Sequence, residues 1–336
     1  MTLSQTAVLT KQIITISIIT IVVGTVSFIG YKIWYAYYLA HLPPVEEKPD
    51  TKFGLLPALE FPESTVSSAN FSYSIDTSTG NLPKIGIAAG FEKLIKVYYV
   101  TKTFATLLSA EKSQNLAEKF GINNPPQILS ETKYLFKESD KTLNVNLDNG
   151  NFIYKKESTM SGQENIDDDN KLILDFEKNL QDLGVFKNDL GKPRIKIIPW
   201  KNEGTRQISL WPQEIDKKPI FTPQFDVSLI NAIVYKSAAN LQNYLSLNFN
   251  YYPIDTSTFA TYPIKTADQA LADLKQGKGV IIIEPQKPQV SITSSYLAYY
   301  LPENYSPYLQ PIFVFEGPHF AAYVPAINGE FQTPAK

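Results

Sequence analysis

The side chains able to carry chemistry are few. The 336 residues hold two histidines, His41 and His319, and no cysteine. Thiolate nucleophiles, Cys-based zinc sites and iron–sulfur ligand sets are therefore excluded. A catalytic triad needs an imidazole between a nucleophile and an orienting acid. His41 follows an apolar segment, and His319 in Gly317-Pro318-His319-Phe320 reads as a turn or solvent-facing residue. No G-x-S-x-G elbow supplies a nucleophile. The run Asp167-Asp168-Asp169 lacks the alternating oxygen ligands and central glycine of a calcium loop, so it reads as the acidic start of a helix. Glycan hydrolysis needs two carboxylates across a sugar, and Glu284 and Glu316, at expected strand ends, are the only ones to suggest. Phosphate-cradling glycine motifs are also absent. The expectation is that no residue is catalytic, binds a cofactor or holds a metal, and that the chain binds rather than catalyses.

Aromatic side chains are what remains for binding. There are 20 Tyr, 19 Phe and 3 Trp, and rings give large contact area at low entropic cost. Tyr251-Tyr252, Tyr299-Tyr300 and Trp211 suggest a groove for peptide or glycan, yet neighbours on a strand point to opposite faces, so half of each pair is expected in the core. The Pro-flanked segment Pro302–Pro311 reads as an exposed loop that presents Tyr305 and Tyr308 to a partner. Phe53, Leu55, Leu56, Leu59 and Phe61 form an apolar patch that either packs along the following domain or docks a partner. The candidate partner-binding residues are thus Tyr305, Tyr308, Phe53, Leu55 and Leu56. With 31 Lys+Arg against 33 Asp+Glu, the net charge of -2 supplies no excess of cations for phosphate contacts, so nucleic acid is not an expected partner.

These residues must be held by elements that the pattern outlines. Gln12 to Tyr31 carries no charge, and its apolar core, Ile13 to Gly30, matches the roughly 20 residues needed to cross a hydrocarbon layer of about 30 Å. Tyr31, Trp34, Tyr35, Tyr37 and Tyr38 follow as an interfacial aromatic belt. One membrane helix from Ile13 to about Tyr38 is expected, uncleaved because no A-x-A-like site adjoins it. Lysine counting, with Lys11 before the span and Lys32, Lys48 and Lys52 after it, favours the reverse topology. A long following domain weakens that rule, and a short first tail commonly stays inside, so the expected arrangement is N-inside and C-outside. The organisation that follows is a cytoplasmic tail over 1–12, the span with its aromatic extension over 13–42 in contact with the bilayer, and a Pro-rich spacer over 43–66. An α+β lobe over 67–165 and a second lobe over 166–336 complete it.

Within the lobes, helix signals precede strand signals. Ser109 is expected to cap a helix over Ala110–Phe120 ended by Gly121. Asp167–Asp169 open a second helix, with an apolar stripe through Leu172, Phe176 and Leu180 and a stop at Gly184. Thr266 and Gln269 form a capping box for a third. Strand patterns follow each helix, and Asp148-Asn149-Gly150 is a strong hairpin turn. The reading is an α+β fold: an N-terminal transmembrane helix, then repeated helix-plus-antiparallel-meander units.

Short phrases add a resemblance. Thr132-Lys133-Tyr134-Leu135-Phe136, Thr266-Ala267-Asp268-Gln269-Ala270-Leu271, Leu297-Ala298-Tyr299-Tyr300 and Phe320-Ala321-Ala322-Tyr323-Val324, over about residues 90–326, resemble the extracytoplasmic YycH/YycI and PepSY-like families of single-pass bacterial membrane proteins. The resemblance implies a regulatory or inhibitory binding module outside the bacterial cytoplasmic membrane, engaging a membrane or envelope protein. The long spacer and first strand region depart from that pattern. A cell-wall glycan-binding or glycan-hydrolysing protein is the alternative.

Overall fold

The computed structural model describes residues 3–40, 48–82, 93–157 and 166–334; His41 and residues 43–47 of the expected spacer lie outside these. Its contacts divide the chain into residues 1–48 and 49–336.

The first unit is helix α1, Leu3–Ala40. It begins earlier than expected because nothing in Ser4–Gln12 breaks a helix: neither proline nor glycine occurs there. Ile16–Tyr38 has a mean hydropathy of 1.9 and none of it is buried, so this one helix is long and apolar enough to cross a membrane. Two of its hydroxyls are satisfied inside the helix: Thr20 Oγ1 donates to Ile16 O at 2.9 Å and Thr25 Oγ1 to Ile21 O at 2.8 Å. Aromatic side chains one turn apart stack, Tyr31 with Tyr35 and Trp34 with Tyr38.

The second unit starts with β1 (Ser72–Ile75) and β2 (Leu94–Val100). Then come α2 (Ser109–Lys119), β3 (Gln127–Ser130), β4 (Lys133–Glu138), β5 (Lys141–Asn146) and β6 (Phe152–Lys156). Next are α3 (Asp169–Asp182), β7 (Arg194–Trp200), β8 (Asn202–Trp211), β9 (Ile220–Phe221), β10 (Ile230–Tyr235) and β11 (Tyr244–Phe249). The chain ends with β12 (Ile254–Pro263), α4 (Ala267–Lys275), β13 (Val280–Ile283), β14 (Gln289–Ile292), β15 (Ser294–Tyr300), β16 (Tyr308–Gly317) and β17 (Phe320–Pro325).

Eight strands make one antiparallel sheet in the order β3-β4-β5-β6-β11-β10-β8-β7. Helices α2 and α3 share its core, inserting Leu116, Ala117 and Phe120 and then Leu172, Phe176 and Leu180 against Phe136, Leu143, Tyr154, Leu210 and Leu247. Each large side chain so buried contributes about 1.5–3 kcal/mol, and Phe120 also stacks on Tyr154 at 4.3 Å. Strands β6 and β11 pair across residue 165, so a lobe boundary there would fall inside this sheet. After α4 the order differs from the expected third meander. Strand β14 pairs in parallel with β1, β13 pairs with β17, and β16 joins both β15 and β2, with β12 beyond β2.

Capping follows the sequence at two helices and departs at one. Asp168 accepts from Lys171 N to start α3, and Thr266 with Gln269 forms the capping box of α4. Ser109 is instead the first residue of α2, and its hydroxyl accepts from Thr106 N at 2.9 Å, which ties the preceding loop rather than the helix amides.

Residues 49–63 are sewn onto the domain. Thr261 N donates to Asp50 O, Leu56 N to Phe331 O, Thr333 N to Leu56 O, and Tyr300 Oη to Glu60 O, at 2.8–3.2 Å. Leu56 is fully buried, and Phe61 packs against Tyr300 and Tyr323. The prolines fix an extended backbone without forming a free spacer here, because apolar side chains between them bury against the sheet.

Burial of phenols makes the fold alkali-sensitive. Tyr154, Tyr244, Tyr251, Tyr300 and Tyr323 have their pKa raised, chiefly by desolvation, and burial pushes Tyr73 up to about 12. An unfolded chain releases these protons near pH 10, whereas the folded domain keeps them. Their contribution is complete below about pH 10 and is lost as pH rises from there through the folded pKa, about 12 for Tyr73. Phenolate absorbance and circular dichroism followed together should show these tyrosines ionising with unfolding; ionisation of all tyrosines near pH 10 with the fold intact would contradict the burial.

Candidate functional site

The expected aromatic groove does not form. Trp211, Tyr251, Tyr299 and Tyr300 are each 1 % exposed or less. Both members of the Tyr299-Tyr300 pair are buried because β15 is covered on both faces: Tyr299 packs beside Tyr98 and Leu309, Tyr300 beside Phe221 and Tyr323. Glu316 accepts from the Tyr296 hydroxyl. His319 is an exposed turn residue with φ of 54° between β16 and β17, as its sequence setting implies.

The partner-binding candidates are partly absorbed into the fold. Leu56 is fully buried in the core and so presents no surface to a partner, contrary to expectation; Leu55 stays 61 % exposed. Phe53 and Tyr308 stack at 4.7 Å, and Tyr308 pairs with Tyr99 in the β2–β16 ladder. Tyr305 is half-buried, donates to Val100 O at 3.0 Å and meets Tyr252 edge-on at 5.4 Å; burial raises its pKa. Exchanging Tyr305 and Tyr308 for alanine is expected to destabilise the domain by about 2–4 kcal/mol in total, since ring packing is lost and Val100 O loses its donor. A denaturation midpoint equal to wild type would show that these rings are free to serve a partner.

A site that the sequence did not disclose lies beside Tyr305. The loop Thr101–Leu108, between β2 and α2, exposes Phe104 by 67 %, Leu107 by 101 % and Leu108 by 56 %. Isolated exposed leucines are ordinary, but three large apolar side chains exposed within five residues form a contiguous apolar patch of the kind that marks interaction sites. The loop is held, not loose. Thr101 N donates to Pro253 O, Ser109 N to Thr106 O, and Ala105 N to Asp148 Oδ1 at 3.0 Å. Asp148 belongs to the hairpin turn in which Gly150 takes φ of 75°. Lys102 lays its ammonium 5.4 Å from the Phe104 ring centroid and 5.7 Å from that of Tyr305, which joins loop and aromatic patch.

Behind the loop is a cavity of about 450 Å³, bounded by α2 along its length, the β5–β6 turn and the residues after α3. Leu116, Val145, Leu147, Leu183 and Val185 give it an apolar floor, and Lys112, Lys119 and Lys187 line it with positive charge. Its one carboxylate, Asp148, is the group that holds Ala105 N. A volume of this order suits ligand or side-chain capture. Tyrosine content signalled the wrong aromatic residues; the available signal was Phe104-Ala105-Thr106-Leu107-Leu108, apolar residues in a stretch with neither strand alternation nor helical period.

A smaller cavity of about 350 Å³ is lined by Asp189, Glu214 and Asp216. Two of these are committed internally: Asp189 Oδ2 accepts from Tyr251 at 2.8 Å, and Asp216 Oδ2 accepts from Tyr98 at 2.5 Å and pairs with Lys96 at 3.4 Å. Among the described residues no cluster of His, Asp and Glu is arranged to hold a metal ion. No protein-family model and no curated protein matches this chain.

Proposed function

We propose that this chain is a membrane-anchored, non-catalytic binding module, fixed by α1 in a bacterial cytoplasmic membrane with residues 43–336 outside, that engages a membrane or envelope protein. The observation that carries the reading is the loop that exposes Phe104, Leu107 and Leu108 and that, through Thr103, Phe104 and Thr106, lines a cavity edged by three lysines. Groups that would do covalent chemistry do not converge there: the cavity lining holds no imidazole and a single carboxylate, itself engaged by Ala105 N. A glycan-cleaving role finds no support in either cavity, since neither Glu284 nor Glu316 lines them. Orientation draws support from the long domain after the helix, for which lysine counting is a weak guide.

In this reading α2 with β3 to β6 and α3 with β7, β8, β10 and β11 are two copies of one helix-plus-meander unit, set edge to edge along β6 and β11. That agrees with the resemblance to YycH/YycI and PepSY-like modules. Protease added to intact spheroplasts should digest the large domain while α1 stays protected. Survival of the domain until lysis would reverse the topology.

A further inference from the structure

We infer that the cavity behind the Thr101–Leu108 loop docks an acidic, amphipathic peptide segment of the partner, an inference that rests on the reading of the chain as a binding module. The first support is charge. Three lysines, Lys112, Lys119 and Lys187, line the cavity against one aspartate, in a chain whose overall charge is -2. Lys119 is occupied in part, donating to Asp182 O at 2.7 Å at the end of α3. Lys112 and Lys187 have no ion-pair partner among the described residues. Unpaired cations around one opening attract carboxylates and disfavour basic partners.

The second support is the surface between the charges. Leu116, Leu147 and Leu183 keep 7–8 % exposure at the floor, while Phe104, Leu107 and Leu108 stand exposed on the loop. This fits an apolar side chain seated in the cavity and carboxylates at the lysines, the anchor-and-rim arrangement of peptide recognition. Asn146 and Asn149 also line the opening; their Oδ1 atoms accept from Asp148 N and Asn151 N, which leaves their amide N–H groups to donate to a peptide backbone. Polar side chains interspersed with the apolar ones in the lining favour a peptide over an acyl chain.

The test pans a library of short random peptides against the full chain held in neutral phosphatidylcholine discs, in parallel with the Lys112→Gln/Lys187→Gln variant. Both lysines lack ion pairs, so the variant should melt like wild type. Enriched peptides should combine Asp or Glu with Leu or Phe, bind about tenfold more weakly to the variant, and weaken with salt. Enrichment of neutral or basic peptides, absence of any enrichment, or equal binding to the variant overturns the inference. Vesicles of phosphatidylglycerol that bind through Lys112 and Lys187 while no peptide does would place a lipid headgroup there instead. Crosslinking through Leu107 in cells without a preference for acidic peptides overturns the ligand class alone; absence of both removes the binding-module reading as well.

Discussion

Replacing Ile19 and Val22 with arginine is expected to abolish membrane fractionation. The two positions lie one turn apart near the middle of the charge-free core Ile13–Gly30, and their side chains are 57 % and 54 % exposed. A central arginine costs about 2.5–3.5 kcal/mol on insertion scales, so the pair costs about 5–7 kcal/mol, more than flanking aromatic anchors recover. Carbonate-washed membranes should lose the protein, with the chain appearing soluble or degraded. An unchanged membrane fraction would show that α1 is not what holds the protein there.

Gly317→Val is expected to be the most damaging single change in the domain. A Cβ at Gly317 would stand 2.0 Å from the carbonyl oxygen of Ser291, a backbone atom that no rotamer change can move. Strand β14 is fixed at this point, since Thr293 N donates to Glu316 O at 2.8 Å and Ser291 pairs with Ser74 in β1. Either the end of β16 or β14 with its partner β1 must shift, at a cost of about 3–4 kcal/mol. That corresponds to a fall in Tm of roughly 10 °C for a domain of this size. A thermal transition within about 2 °C of wild type would show that β14 yields freely.

How much of this was legible in the sequence depends on which forces local pattern records. The apolar span, the Asp148-Asn149-Gly150 turn and the capping box at Thr266 are local, set by residues within one helical turn or one hairpin, and all three occur in the structure. Strands β11 and β12 were not legible. Ile254–Pro263 contains Asp255, Ser257 and a terminal proline, and it pairs with β2 only by a register shift between Asp255 and Phe259, which breaks the period-2 signal. The fate of Leu56 was equally hidden, because its partners Phe331 and Thr333 lie at the far end of the chain. The site suffered from the same limit. Tyrosine pairs that looked like a groove were drawn inward by sheets covered on both faces, whereas the apolar run Phe104–Leu108 has no period that tells an exposed stretch from a buried one. Its exposure follows from tertiary fastening by Asp148 and Pro253.

The measurement that tests the binding reading most directly is photocrosslinking in intact cells with a photoreactive residue at Leu107, compared with one at Leu174, which is 66 % exposed on α3 away from the cavity lining. The account predicts a discrete adduct of fixed mass from position 107, reduced when Phe104 and Leu108 are changed to serine, and none from position 174. Equal labelling at the two positions, or no adduct from Leu107 in cells where the protein is folded and in the membrane, would contradict it.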